Sequence, residues 1–448
     1  MNAGTPTSSV SSKPVFYIVS LIGCFLLLLP AIYNGFGIVN SDFGTYLPSG
    51  FKPAMPVDRP ITYGILLRIF SLNGLSLWPV LFVQAFFVSN LILRITKSVL
   101  QQHRHFLLYS TVILLFLSLF TGLSWTVSQL QPDIFTSVAL MCATVLLMAK
   151  ESKATTTLTF VLYFVAIGTH ASHMLLFVLL LLFIIIFYKR TVFKEQKKRV
   201  VVLLLLSIAP ILTMLPIFPK SKHVFFMGSL LEKGILKKYL DESCATKPYK
   251  ICAYKDNLPA SADDFLWDNN SPVHKEGGWA AVKPEYNEII NGALGQPKYI
   301  WLYIKGSVTF TLRQLTVFET GPGNIPFQKG TYVYDGLAEY VPGDLEAFSS
   351  SRQYSNTLLP ALALPNKVFS WVIMISCLSL AVLLLMNYKK LDAALRFFAF
   401  ICICGILLNA WDCATFATIN GRYGCRVMWL IPFWLCLAMG SRYRKSAY

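Results

Sequence analysis

The stretch Met174-Leu175-Leu176-Phe177-Val178-Leu179-Leu180-Leu181-Leu182-Phe183-Ile184-Ile185-Ile186-Phe187 holds no polar side chain, and Tyr188-Lys189-Arg190 follows it at once. It lacks the alternation of a half-buried strand, and it lies in an apolar run, 171–188, of the length that approaches a hydrocarbon core of roughly 30 Å when helical. Working outward from it, comparable runs fall at about 15–35, 77–95, 106–123, 133–149, 155–169, 200–217, 367–387, 395–413 and 427–440. Lipid gives backbone groups no partners, so spans are helices or a closed barrel, and runs without a period of two are not barrel strands. The sequence therefore predicts an all-α polytopic membrane protein of about ten transmembrane helices. A chain of 448 residues that is 55% hydrophobic and 14% charged agrees with that class.

The net charge of +17 is sorted by side before it is read as a partner signal. Cations crowd Lys13 and the short loops 94–104, 150–153, 189–199, 389–396 and 442–445, whereas the alternate loops hold Lys52, Arg59, Arg68, Arg422 and Arg426. The first set is predicted to be cytoplasmic, which puts both termini inside. The basic excess then fixes topology and meets anionic membrane lipids, and it implies no nucleic-acid partner. Residues 1–13 carry one cation and lead into an apolar stretch with no small-residue cleavage site, so the first span reads as retained. The chain divides into an N-terminal bundle at 1–217 with a first external loop at 36–76, an external segment at 218–366, and C-terminal spans at 367–448. Gly168 to His173 breaks the pattern as a tight external turn or a kink.

In the long segment, residues 228–240 read as a short helix, 298–318 as an interfacial helix, and 319–329 with Gly321-Pro322-Gly323 as a turn. Cys244 and Cys252 could pair on an oxidising face as a structural staple, or form a redox or metal pair. Cys24, Cys142, Cys377, Cys402, Cys404 and Cys436 fall in spans as small packing residues. Ile61 to Phe70 reads as a surface helix in the first external loop.

Four carboxylates outside the long segment and the cytoplasmic loops, Asp42, Asp58, Asp133 and Asp412, fall near the outer ends of spans. Carboxylates there are hydrated, paired or functional, because burial in lipid is costly. One shared external cleft would account for all four. Each also has a plainer reading: Asp42 and Asp58 as helix caps, Asp133 after Pro132 as a favourable charge at a helix start, and Asp412 as a structural partner of Arg422 or Arg426. Those two arginines alternatively suit an anionic headgroup. His170 and His173, three apart, are a weak metal pair and better suited to hydrogen bonds within the bundle or to a substrate phosphate. Phe265-Leu266-Trp267 and Trp279 read as core of the external segment or as acceptor contacts.

The arrangement resembles the GT-C superfamily of integral-membrane glycosyltransferases. Asp42 just after the first span, a surface helix in that loop, polar residues at external span ends and a large late external segment carry the resemblance. It departs from the oligosaccharyltransferases and protein mannosyltransferases, having no Asp-Glu doublet in the first loop and no Trp-Trp-Asp triplet. The resemblance implies a bacterial inner-membrane enzyme that moves a sugar, with inversion, from a polyprenyl-phosphate donor to a hydroxyl of an envelope glycan or lipid at the external face. It implies Asp42 as general base, with Arg59, Arg68, Arg422 or Arg426 stabilising the phosphate leaving group and Asp58 orienting the acceptor or an arginine. A divalent metal is possible and not required. Two other readings compete: a polysaccharide polymerase or ligase working through His223, Arg313 and Arg352, and a lipid or solute transporter. Transport would put ionisable groups at mid-membrane, and the spans are almost free of them, although Pro210 and Pro216 could bend the seventh.

Overall fold

A computed structural model of the chain describes residues 13–52, 55–100 and 106–446. The leader 1–12 and Arg104, both used above for topology, lie outside the described residues, as do the side chains of Lys13, Arg442, Arg444 and Lys445. Among the described residues all regular structure is helical, and the one strand-like pairing is an isolated bridge between Ile38 and Gln129. Five helices, Pro14–Asn34, Trp78–Leu100, Leu358–Lys390, Ala393–Phe416 and Gly421–Ser441, are long and apolar enough to cross a membrane. Four shorter apolar helices, Phe106–Phe120, Ile134–Met148, Lys153–Gly168 and Ala171–Phe187, stand where the sequence places spans. Their outward faces stay apolar: Leu108, Leu158, Leu378 and Leu385 are all exposed. Water would penalise so large an apolar surface, and hydrocarbon does not. The chain has the build of a helical integral membrane protein.

The expected span at 200–217 is not continuous. Helix Lys194–Ile208 stops, Pro210 stands at the break, and a single turn, Ile211–Met214, follows. Proline lacks the N–H that the helix ladder needs and crowds the preceding turn. The break at 168–173 separates two helices, Lys153–Gly168 and Ala171–Phe187, with Thr169 and His170 between them. The interfacial helix forms at Pro297–Gln314 and packs against Ala393–Phe416, turning Trp301, Ile304, Val308 and Leu312 outward. The short helix read at 228–240 is two helices, Phe218–Glu232 and Ile235–Ser243, parted by Gly234 at φ +67°.

The long segment divides between two cores. Residues from Val224 to Tyr299, Phe265, Tyr286 and Ile289 among them, bury one another in a cluster of their own, and Cys244 and Cys252 are disulfide-bonded at its edge. Phe327, Val333, Leu337, Val341 and Phe348 instead join the core of the bundle. Helix Tyr332–Tyr340 packs on Phe43–Phe51 of the first loop, which packs in turn on Thr62–Phe70. That last contact is close because both helices carry glycine: a Cβ on Gly50 would lie 2.1 Å from the Gly64 carbonyl oxygen. Asp344 locks the assembly to the bundle, accepting from the Leu77 amide at 2.6 Å and Ser76 Oγ at 3.0 Å at the head of Trp78–Leu100. The first loop is thereby held rigidly over the ends of the bundle helices.

Candidate active site

Asp42 precedes helix Phe43–Phe51 but its side chain makes no capping hydrogen bond, and the same holds for Asp133 before Ile134–Met148. Asp58 caps nothing either, since the surface helix begins at Thr62 with Ile61 before it. All three carboxylates turn to arginines instead. Ionic hydrogen bonds are roughly twice as strong as neutral ones, and at a buried site they outcompete the cap.

The arginines come from the short helix Gly421–Met428, where Arg422 and Arg426 are one turn apart on the same face, and from Arg59 in the first loop. Asn420 caps that helix, accepting from the Arg422 amide at 3.1 Å, and Gln314 holds Asn420 through both of its main-chain groups. The helix lies tight against the chain at 317–319: a Cβ on Gly424 would fall 2.3 Å from the Val317 oxygen.

Asp42 sits between two guanidiniums, with Oδ1 2.8 Å from Arg59 Nη1 and Oδ2 2.7 Å from Arg422 Nη2. Arg59 also donates to Asp58 through Nε at 2.8 Å and through Nη2, and lies over the Tyr46 ring. Arg426 is fully buried and donates to Asp133 Oδ1 and to Asn409 Oδ1, each at 2.9 Å. Asp133 Oδ2 stands 3.8 Å from Arg422 Nε, too far for a hydrogen bond, and that buried N–H has no acceptor. Tyr423 lies against both guanidiniums, 5.2 and 5.1 Å from its ring centre. Three carboxylates thus balance three guanidiniums in one chain of contacts.

Burial works against the charge on Asp42, but the Arg422 and Arg59 guanidiniums outweigh it and hold the carboxyl well below the usual range. Burial, with Arg426 and Arg422 adding to it, pushes His170 down to about 3. Its neutral ring accepts from the Ser172 amide at 3.2 Å.

A cavity of about 450 Å³ opens onto this network. Its polar side is formed by Asp42, Asp58, Arg59, His170, Asp412 and Arg422. The rest of its lining is mostly apolar, with Leu175, Met214, Phe218, Phe225, Phe226 and Phe416, interrupted by Ser221 and Lys222, while Asp263, Leu266 and Trp267 come from the smaller core. No protein-family model, curated protein or solved structure matches the chain.

The four span-end carboxylates do meet here, three lining the cavity and Asp133 behind it. Asp412 is not the partner of Arg422 or Arg426, which pair with Asp42 and Asp133. His170 lines the cavity, and His173 is held inside the bundle between Thr136 Oγ1 at 2.7 Å and the Ala166 carbonyl at 2.8 Å. Arg68 lies elsewhere, donating to Asn73 and stacking on Phe51. His223, Arg313 and Arg352 are not among the lining residues: His223 hydrogen-bonds the Trp279 carbonyl, Arg313 stacks on Phe310 and Arg352 on Tyr33. Phe265 is core, as one of its two readings had it, while Trp267 is half exposed against Trp279 at the cavity mouth. Among the described residues no three His, Cys, Asp or Glu side chains gather as a metal cluster. Sequence reasoning missed Asn409 and Gln131, although an asparagine inside an apolar run is itself a signal of a buried polar contact.

Proposed function

We propose that the chain is a membrane glycosyltransferase of GT-C type that takes a sugar from a polyprenyl-phosphate donor and passes it to an acceptor hydroxyl of an envelope glycan or lipid. The observation that carries this reading is the cavity's division into a charged side built on Arg59 and Arg422 and an apolar side rich in phenylalanine. A lipid-linked sugar phosphate has the same two parts. Its phosphodiester, with one negative charge, would share the two guanidiniums with Asp42. Its first isoprene units would lie along Phe218, Phe225, Phe226 and Phe416.

In the reaction a cavity carboxylate takes the acceptor's proton as the acceptor oxygen bonds to the anomeric carbon. The bond from that carbon to the phosphate oxygen breaks, and the electron pair leaves on the phosphate, where the guanidiniums stabilise the developing charge. Inversion follows from attack opposite the leaving group. The orientation is that of the cation-poor loops facing outward, with the nine apolar helices and the broken segment 194–214 making ten crossings, both termini cytoplasmic, and the cavity opening at the external face of a bacterial inner membrane.

The test is transfer of label from a radiolabelled pool of polyprenyl-phosphate sugars by membranes holding the wild type or Arg422→Gln. Wild-type transfer that falls by about 100-fold in a well-folded Arg422→Gln protein is expected, the scale of losing one charge-stabilising group. Absence of transfer by the wild type, or undiminished transfer by the variant, would overturn the reading.

A further inference from the structure

Four carboxylates line the cavity, and their surroundings differ. Both oxygens of Asp42 receive guanidinium N–H bonds, Asp58 is paired with Arg59, and Asp263 is solvent-exposed on the smaller core's helix Ala262–Trp267. Asp412 is the remaining one. It lies on helix Ala393–Phe416, is 5% exposed, and makes no hydrogen bond or ion pair among the described residues. The three arginines make their ion pairs with Asp42, Asp58 and Asp133 and none with Asp412. A carboxyl that has no protein partner and borders a cavity is open to a ligand group there.

Resting on the transferase reading, we propose that Asp412, rather than Asp42, accepts the proton of the acceptor hydroxyl. A carboxylate whose lone pairs are committed to two guanidiniums is a weak base, and Asp42 fits the role of holding Arg59 and Arg422 apart and ready for the donor phosphate. Asp412 lines the cavity with neither oxygen committed to a hydrogen bond or ion pair among the described residues. The proton of the acceptor O–H moves to an Asp412 oxygen, the acceptor oxygen bonds to the anomeric carbon, and the phosphate departs with the electron pair of the broken bond, so that charge and atoms balance. The acceptor is thereby assigned to the part of the cavity beside Asp412 and Cys413, and the donor phosphate to the part beside Arg59 and Arg422.

The experiment compares steady-state transfer by wild type, Asp412→Asn and Asp42→Asn in detergent, with the unfolding midpoint of each. Asp412→Asn replaces a buried carboxyl that has no partner by a neutral amide of the same shape, so its midpoint is expected at or above that of the wild type. Its kcat is expected to fall by about 10²–10⁴-fold, the usual contribution of a general base, with the donor KM little changed. Asp42→Asn is expected to change the donor KM instead. If the wild type transfers sugar and Asp412→Asn keeps its kcat, the assignment fails while the transferase reading stands. If Asp42→Asn loses kcat with its donor KM intact, Asp42 is the base and the assignment fails too. No transfer by the wild type overturns the transferase reading and this assignment with it.

Discussion

Arg426 is the charge most deeply committed to the protein, and its removal gives the sharpest test of the electrostatic framework. Its side chain is fully buried, and its partner Asp133 is 4% exposed. Replacing Arg426 with methionine leaves Asp133 with Arg422 Nε, 3.8 Å away, as its nearest cation, and leaves Asn409 Oδ1 without its donor. Breaking one side of a buried ion pair costs about 3–5 kcal/mol, because the survivor stays charged and desolvated. Asp133→Leu is expected to cost a similar amount, since it leaves Arg426 buried against a neutral amide. The double variant Asp133→Leu, Arg426→Met strands neither charge, so it is expected to cost much less than the sum, with a coupling of about 3 kcal/mol or more. Equilibrium unfolding in mixed detergent micelles, followed by tryptophan fluorescence, measures all four corners of the cycle. Polar groups find partners in the denatured state within a micelle as well, which pulls measured couplings toward the lower end. Single costs below about 1 kcal/mol, or a double variant equal to the sum, would refute the claim that this pair is desolvated and mutually dependent.

Three further outcomes follow from the same structure. The Asp42 carboxyl titrates below its ordinary range in the folded protein, so its clamp stabilises fully above the unfolded value and loses that stabilisation as pH falls. The stability gap between wild type and Asp42→Asn is therefore expected to hold from pH 7 to 5 and to narrow below about pH 4, and a gap that widens on acidification in thermal unfolding would contradict it. Gly424→Ala puts a methyl 2.3 Å from the Val317 oxygen, so overpacking is expected to cost about 1–3 kcal/mol and to disturb the helix that carries both arginines. A lowered unfolding midpoint together with reduced transfer would register it, and an unchanged midpoint would refute the close approach. Replacing Cys244 and Cys252 by serine opens a short loop and is expected to cost roughly 2–3 kcal/mol. That loss should appear as faster proteolysis between residues 224 and 299 while the ion pairs of the bundle stay intact.

The helices were legible because hydrocarbon thickness and backbone satisfaction constrain a span within one short window, so composition alone locates Trp78–Leu100 or Ala393–Phe416. A bend at Pro210 was legible in the same way, since the residue that disturbs the ladder is local, but 200–217 was read as one span and the full break was not. The site was legible only as an inventory. Asp42, Asp58, Asp133, Asp412, Arg422 and Arg426 could each be picked out as charges at span ends, but the pairing could not, because Arg426 meets Asp133 across 293 positions and Arg422 meets Asp42 across 380. Proximity in sequence pointed to Asp412 as the arginines' partner, and packing set it apart from them. The cap readings of Asp42 and Asp58 failed because they weighed each carboxylate against its own helix and had no way to weigh it against a guanidinium brought in by tertiary structure. That error has chemical content. If Asp42 capped its helix, Arg422 would lose its carboxylate and would face an Arg59 that keeps only Asp58. With Asp42 between them, their repulsion is relieved before any substrate arrives, and the cavity can keep two guanidiniums close enough for one phosphate to reach both.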